Sequence, residues 1–330
     1  MPQSSYIYAV ARIRALETGL IGKDRMHRLS EGTLDDVVRM LVETGYGDMP
    51  EATADDCETM IARELTKANK LMQEVTPEQA VTDLFLMKAD IHNLKVLLKA
   101  RLLGNKEEPL LLEGGLYQTD LLVTAVRDRN YRSLPKALKE ELNTLEKTLQ
   151  VKENPQQISV ALDRAYHLHA REVLKKHKNE FAGKYFNALA DFDNVNALLR
   201  IRSMGGTKEN LHEVLLPVGD VTHSAILSAF DQPFETMSKQ LSTGAAGGAI
   251  ALGFEEVQRT GQNSAMEKAR DNHLMRLIKK GKYDMDSLQP VLGYYLAREQ
   301  EAKCVRLIVT AKRNDLPEQV ITERLREVYG

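Results

Sequence analysis

The chain has 330 residues, 43% of them apolar and 28% charged, which excludes a disordered protein and exceeds what one ordinary core requires. With no Trp and only 7 Phe beside plentiful Leu, Ala, Glu, Lys and Arg, the composition favours helices over strands. A formal net charge of −2 gives no electrostatic ground for nucleic acid or anionic lipid as the main partner, and the 2 cysteines, Cys57 and Cys304, fit a reducing cytoplasm better than a disulfide framework.

In chain order, residues 6–17 carry Ile7, Val10, Ile13 and Leu16 at helical spacing and predict a first helix. Short helices are expected over 20–29 and 33–43. Gly45-Tyr46-Gly47 then makes a turn, and a longer helix is expected over 54–73. Thr76-Pro77-Glu78-Gln79 reads as an N-cap, a first-turn proline and a capping-box partner for a helix reaching residue 103. Asn154-Pro155-Gln156-Gln157 repeats the device, and Asp315-Leu316-Pro317-Glu318 resembles it. Gly104 is a plausible C-cap, and the stretch 105–120, with Pro109, Gly114 and Gly115, marks a domain boundary. Helices are expected over 119–129, 134–149, 156–178 and 180–203, then a short one over 207–216. Pro217-Val218-Gly219 marks a second boundary, and helices over 223–230, 254–280, 291–313 and 317–328 complete the chain. No segment alternates as a strand does, so the fold class is all-α.

One pattern recurs. Asp90, Asn93, Leu97, Leu98 and Arg101 return in register as Asp191, Asn194, Leu198, Leu199 and Arg202. A third copy fits as Glu301, Cys304, Ile308, Val309 and Lys312, with Arg306 where the first copy has Lys95. Repeats of this kind imply like structural units of about 110 residues, near the commonest domain size. The expected domains are 1–110, 111–217 and 218–330.

Asp90 with Asn93, one helical turn apart, could serve as a metal or acid–base pair. The reading preferred here is structural: a buried carboxylate and amide satisfying loop backbone groups and a nearby Arg. A catalytic pair would hardly be copied in each repeat. The small-residue stretch 244–253 lacks the Gly-Lys-Ser/Thr of a phosphate loop and follows no strand, so it reads as a closely packed helix or a connector. His167 and His169 are two apart and do not share a helix face, and no other His has a ligand-like neighbour in sequence. Residues 244–254 are also too short for the ~18–20 residues of a bilayer span, and the opening residues lack an apolar signal core. Work at a membrane is therefore expected to go through an embedded partner.

The opening Tyr8-Ala9-Val10-Ala11-Arg12-Ile13-Arg14, the Thr44-Gly45-Tyr46 turn, the helix with Asp90, Asn93, Lys95, Leu98 and Lys99, and the segment with Tyr295, Arg298, Glu299, Glu301, Val305, Arg306 and Ile308 together resemble the C subunits of the bacterial and archaeal V/A-type ATPases, relatives of the d subunits of the eukaryotic vacuolar enzymes. The resemblance runs from Tyr6 to about Glu327, with departures in the third copy and at 244–253. It implies three similar helical domains in a pseudo-threefold funnel and no active site, cofactor or metal. The implied partners are the central shaft subunits and the membrane proteolipid ring. The implied location is the cytoplasmic face of the membrane, peripherally, in an ATP-linked proton or sodium transporter. A helical repeat scaffold for other soluble proteins is the alternative from a different class.

Overall fold

The structure, a computed structural model, describes residues 6–104, 111–151 and 153–330; Pro109 and the edge of the boundary expected at 110/111 lie outside the described residues. Among the described residues there are sixteen α-helices, two short 3-10 turns and no strand. The chain forms two compact units, one of residues up to Thr82 together with Asp271–Gly330, the other Asp83–Arg270. The first unit joins two stretches far apart in the sequence.

The first unit contains α1 (Tyr6–Glu17), α2 (Lys23–Glu31), α3 (Leu34–Glu43), α4 (Cys57–Val75) and the start of α5 (Gln79–Leu102). The second unit holds the rest of α5, then α6 (Thr119–Arg127), α7 (Lys136–Val151), α8 (Pro155–His177), α9 (Glu180–Ser203) and α10 (Lys208–Val214). It continues through α11 (His223–Ala229), α12 (Phe234–Leu241), α13 (Gly247–Thr260) and the first half of α14 (Ser264–Lys280). The remainder of α14, α15 (Gln289–Arg313) and α16 (Glu318–Arg324) return to the first unit.

Local chemistry explains several helix starts. Thr33 and Asp36 form a reciprocal capping box on α3, as Thr207 and Asn210 do on α10. Asn154 caps α8 ahead of Pro155 as the sequence predicts, while Asn179 and Thr222 cap α9 and α11. The device at 76–79 works differently. Thr76 Oγ1 accepts from the Glu78 amide, the helix begins at Gln79, and Glu78 accepts from the Tyr6 hydroxyl at 2.6 Å, so Gln79 closes no box.

The helix expected over 254–280 is two helices. Gly261, at φ +70°, ends α13 in the left-handed region, and a new helix starts at Ser264. From Gly247 on, the small-residue stretch belongs to α13. A Cβ added at Gly253 would lie 2.5 Å from Met266 Sδ, so the glycine lets α13 approach α14 closely.

Burial follows the apolar faces. In the first unit Leu29, Leu41, Met60, Ile61, Val305 and Ile308 meet in one core drawn from α2, α3, α4 and α15. In the second, Phe85 of α5 lies 5.2 Å from Tyr185 and 5.3 Å from Phe186 of α9, and Phe186 lies 5.7 Å from Tyr166 of α8, ring centre to ring centre.

Candidate functional site

The recurring polar residues sit at the middle of α5, α9 and α15, and in each case they hold a loop. Asp90 is 1% exposed and accepts from the amides of Leu116 at 2.8 Å and Tyr117 at 3.3 Å. One turn on, Asn93 donates from Nδ2 to the Leu112 carbonyl at 2.8 Å and accepts the Leu112 amide on Oδ1 at 2.8 Å. On α9, Asp191 accepts the Val221 amide at 2.9 Å. Asn194 accepts the Leu216 amide at 2.8 Å and donates to the Leu216 carbonyl at 3.2 Å. On α15, Glu301 accepts the Ile21 amide on one oxygen and the Arg298 guanidinium, at 2.9 Å, on the other. Cys304 Sγ, where the other helices carry Asn, lies 3.9 Å from the Arg326 carbonyl oxygen to which it donates.

The held loops share a register. Tyr117, Val221 and Ile21 each stand two residues ahead of a helix: α6, α11 and α2. Two residues before each is a glycine: Gly115, Gly219 and Gly19. A Cβ at Gly115 would lie 2.2 Å from Asp90 Oδ1, and one at Gly219, which has φ +118°, 2.4 Å from Asp191 Oδ1. The carboxylate thus occupies the space a side chain would need. At Gly19 the nearest atom to such a Cβ is Arg298 Nη2, at 3.4 Å. Sequence reasoning took Gly115 and Gly219 for boundary markers and gave no role to Gly19, to Glu64 or to the guanidinium of Arg298. The available signal was a glycine four positions ahead of each helix start, 115 to 119, 219 to 223 and 19 to 23.

The basic ends of the repeats also reach main chain. Arg101 donates to the Val126 carbonyl at the end of α6 and pairs with Glu146 of α7 at 2.6 Å. Arg202 donates to the Gln232 carbonyl beyond α11 at 2.7 Å. At the third position Lys312 is displaced in this role by its neighbour Arg313, which donates to the Ala54 carbonyl just ahead of α4. Arg306 grips Glu58 of α4 through two bonds, 2.7 and 3.0 Å, and Lys95 pairs with Asp163 of α8. Each of α5, α9 and α15 thereby reaches a long partner: α5 to α8, α15 to α4, and α9 to α14 through Asp193 and Arg270 at 2.9 Å.

Electrostatics set the third clasp apart. Burial pushes the Asp90 and Asp191 carboxyls up to about 6 against the pull of their backbone donors. Neither accepts a hydrogen bond from a basic side chain, and Asp191 Oδ2 has no hydrogen-bond partner. Glu301 shares its buried site with Arg298, which also bonds the Tyr294 hydroxyl at 3.1 Å and lies 3.7 Å from Glu64. Burial raises Glu301 while the guanidinium holds against it.

This chemistry is positional. The oxygens of Asp90, Asn93 and Asn194 are spent on amides, and Asp191 Oδ2 is buried without a partner. No group of three or more His, Cys, Asp or Glu side chains among the described residues is placed to hold a metal ion. His167 is buried, with its pKa driven down to about 4 by desolvation, and stands 4.0 Å from Asp193. No helix among the described residues is long and apolar enough to cross a membrane.

Residues 9–324 match the family described as ATP synthase (C/AC39) subunit. Among known proteins the chain is similar to the C subunit of the V-type sodium ATPase of Enterococcus hirae, 24% identical over 323 residues that cover 96% of this chain and 97% of that one. It is similar also to the C subunit of the A-type ATP synthase of Methanocaldococcus jannaschii, 25% identical with 96% and 85% covered. With the counterpart from Pyrococcus abyssi it is 22% identical, with 98% and 90% covered.

Proposed function

The chain belongs to the ATP synthase (C/AC39) subunit family, and on that premise we propose that it is a non-catalytic central-stalk component of a rotary V/A-type ATPase, a socket between the soluble shaft and the membrane proteolipid ring. The observation that carries the reading is the recurrence of one clasp on three long helices, with the same amide held two residues before the next helix each time.

In this reading the chain is three like helical sets. One is α5 with α6, α7 and α8. The second is α9 with α11 to α14. The third is α15, completed by α2, α3 and α4 from the amino-terminal part of the sequence. These sets stand for the three domains expected from the repeats, with limits drawn at the helices rather than at 110/111 and 217/218, and they would make up the funnel that the family resemblance implies. Packed helices tied to their loops by buried hydrogen bonds deform little and pass torque rather than absorb it. The protein stands at the cytoplasmic face of the membrane through its partners, in a complex moving protons or sodium.

The test is removal of this protein from the assembled complex. ATP hydrolysis by the soluble part persists and ion transport stops. Coupled transport at the normal rate without it refutes the role, and so does recovery of the protein with unrelated partners and neither shaft nor ring.

A further inference from the structure

In the clasps on α5 and α9 a single continuous stretch supplies every group held: Leu112 to Tyr117 on one, Leu216 to Val221 on the other. In the clasp on α15 two segments far apart in sequence supply them. Ile21 brings its amide to Glu301, and Arg326 brings its carbonyl to Cys304. Leu16, five residues before Ile21 as Leu112 is before Tyr117, lies within α1, so the bracketed part of the loop has been lost to a helix.

Residues 326–330 take its place. The Glu327 carbonyl accepts from Gln300 Nε2 at 3.2 Å, and its amide donates to Asn272 Oδ1 at 2.8 Å. Arg326 reaches Asp271 at 3.4 Å, and the Glu327 side chain reaches Arg276 at 3.2 Å. Val328 and Tyr329 are buried, Tyr329 under the Lys282 ammonium and close to Glu17 of α1. Gly330 then meets the amino-side loop: a Cβ there would lie 3.1 Å from Gly22 Cα. Together 326–330 and 21–23 make eight residues, the number in the run from Leu112 to Thr119 at the start of α6.

We propose that residues 326–330 are a releasable strap that completes the third clasp and whose departure frees the α1–α2 segment from α15 while the other two clasps stay shut. The strap holds by a few side-chain bonds and two buried side chains, with no covalent join to the loop it completes. Its opening therefore needs far less disruption than opening a clasp whose held groups lie on one continuous stretch, and local opening of this kind shows as faster amide exchange. The proposal stands on the geometry of the first unit and does not depend on the rotary reading.

Amide hydrogen exchange on the intact protein tests it. The Glu327 and Ile21 amides exchange together, about tenfold or more faster than those of Tyr117 and Val221. A Gly22→Cys/Gly330→Cys protein, oxidised to link strap and loop, slows both to the level of the other clasps; reduction restores the difference. Removal of residues 326–330 speeds Ile21 alone. Equal protection of Ile21, Tyr117 and Val221 in the intact protein overturns the proposal. So does fast exchange of Glu327 with Ile21 unchanged, or a truncation that exposes all three amides at once, which would make the segment part of the global core.

Discussion

Asn93 and Leu112 are paired as residues of neighbouring strands are, amide to carbonyl in both directions at 2.8 Å, although one partner is a side chain on a helix. Asn194 and Leu216 repeat the arrangement on α9. A side-chain amide is suited to this because it carries a donor and an acceptor in one plane, as the peptide group does. Loops held in this way keep their backbone groups satisfied while lying against a buried helix face.

Asn93→Ala leaves the Leu112 amide and carbonyl without their partner, and Asn194→Ala leaves the Leu216 amide without one while His223 Nε2 stays 2.6 Å from the Leu216 carbonyl oxygen. Each is expected to cost about 2–4 kcal/mol, read from denaturant midpoints. Cys304→Ala loses a single long sulfur contact and costs less than either. A Cys304→Ala loss as large as the Asn losses would contradict the assignment of the bonding.

Glycine substitutions separate positional need from flexibility. Gly219→Ala is expected to destabilise by more than ~2 kcal/mol, since its Cβ would collide with Asp191 and its backbone lies at φ +118°. Gly115→Ala behaves similarly through Asp90. Gly248→Ala in α13, with no atom within 4 Å of the new Cβ, is neutral or stabilising by up to ~1 kcal/mol. Thermal unfolding of the three variants side by side gives the ordering.

The Asp191 carboxyl titrates at about 6 when folded, above its unfolded value of ~3.9. The folded chain therefore holds the proton more tightly, and this group's contribution to stability falls as pH rises from 4 to 6 and is level beyond. Asp191→Asn cannot titrate. Its stability deficit relative to the parent is expected to be largest near pH 4 and to shrink by at most about 3 kcal/mol by pH 7.5. A deficit that grows across that range would show that the carboxylate is stabilised in place as an anion.

Arg298 and Arg306 both pair with glutamates, in opposite settings. Arg298→Met strands Glu301, which is 1% exposed, and is expected to cost about 3–5 kcal/mol. Arg306→Met frees the exposed Glu58 and costs about 1 kcal/mol or less. Comparable losses would mean that the burial of Glu301 does not govern the energetics of the third clasp.

Most of the helices, the Asn154 cap and the recurrence of Asp90, Asn93 and Arg101 at Asp191, Asn194 and Arg202 were legible along the chain, because apolar periodicity and capping are interactions over three or four residues. The division between α13 and α14 was missed because Gly261 is a lone glycine in a helix-prone stretch, and its left-handed backbone decides the break. The family could be read from motif order, and residues 9–324 match it.

What only the tertiary structure decided is which distant segment each helix holds. Ile21 and Arg326 meet on α15 although they lie near opposite ends of the sequence, Arg298 finds Glu64, and Arg313 takes over from Lys312. Local sequence sets how each segment coils, through propensities acting over a few residues. Long-range pairing depends on whether buried polar groups find partners once the helices pack, a condition satisfied in three dimensions and written at no single place in the sequence.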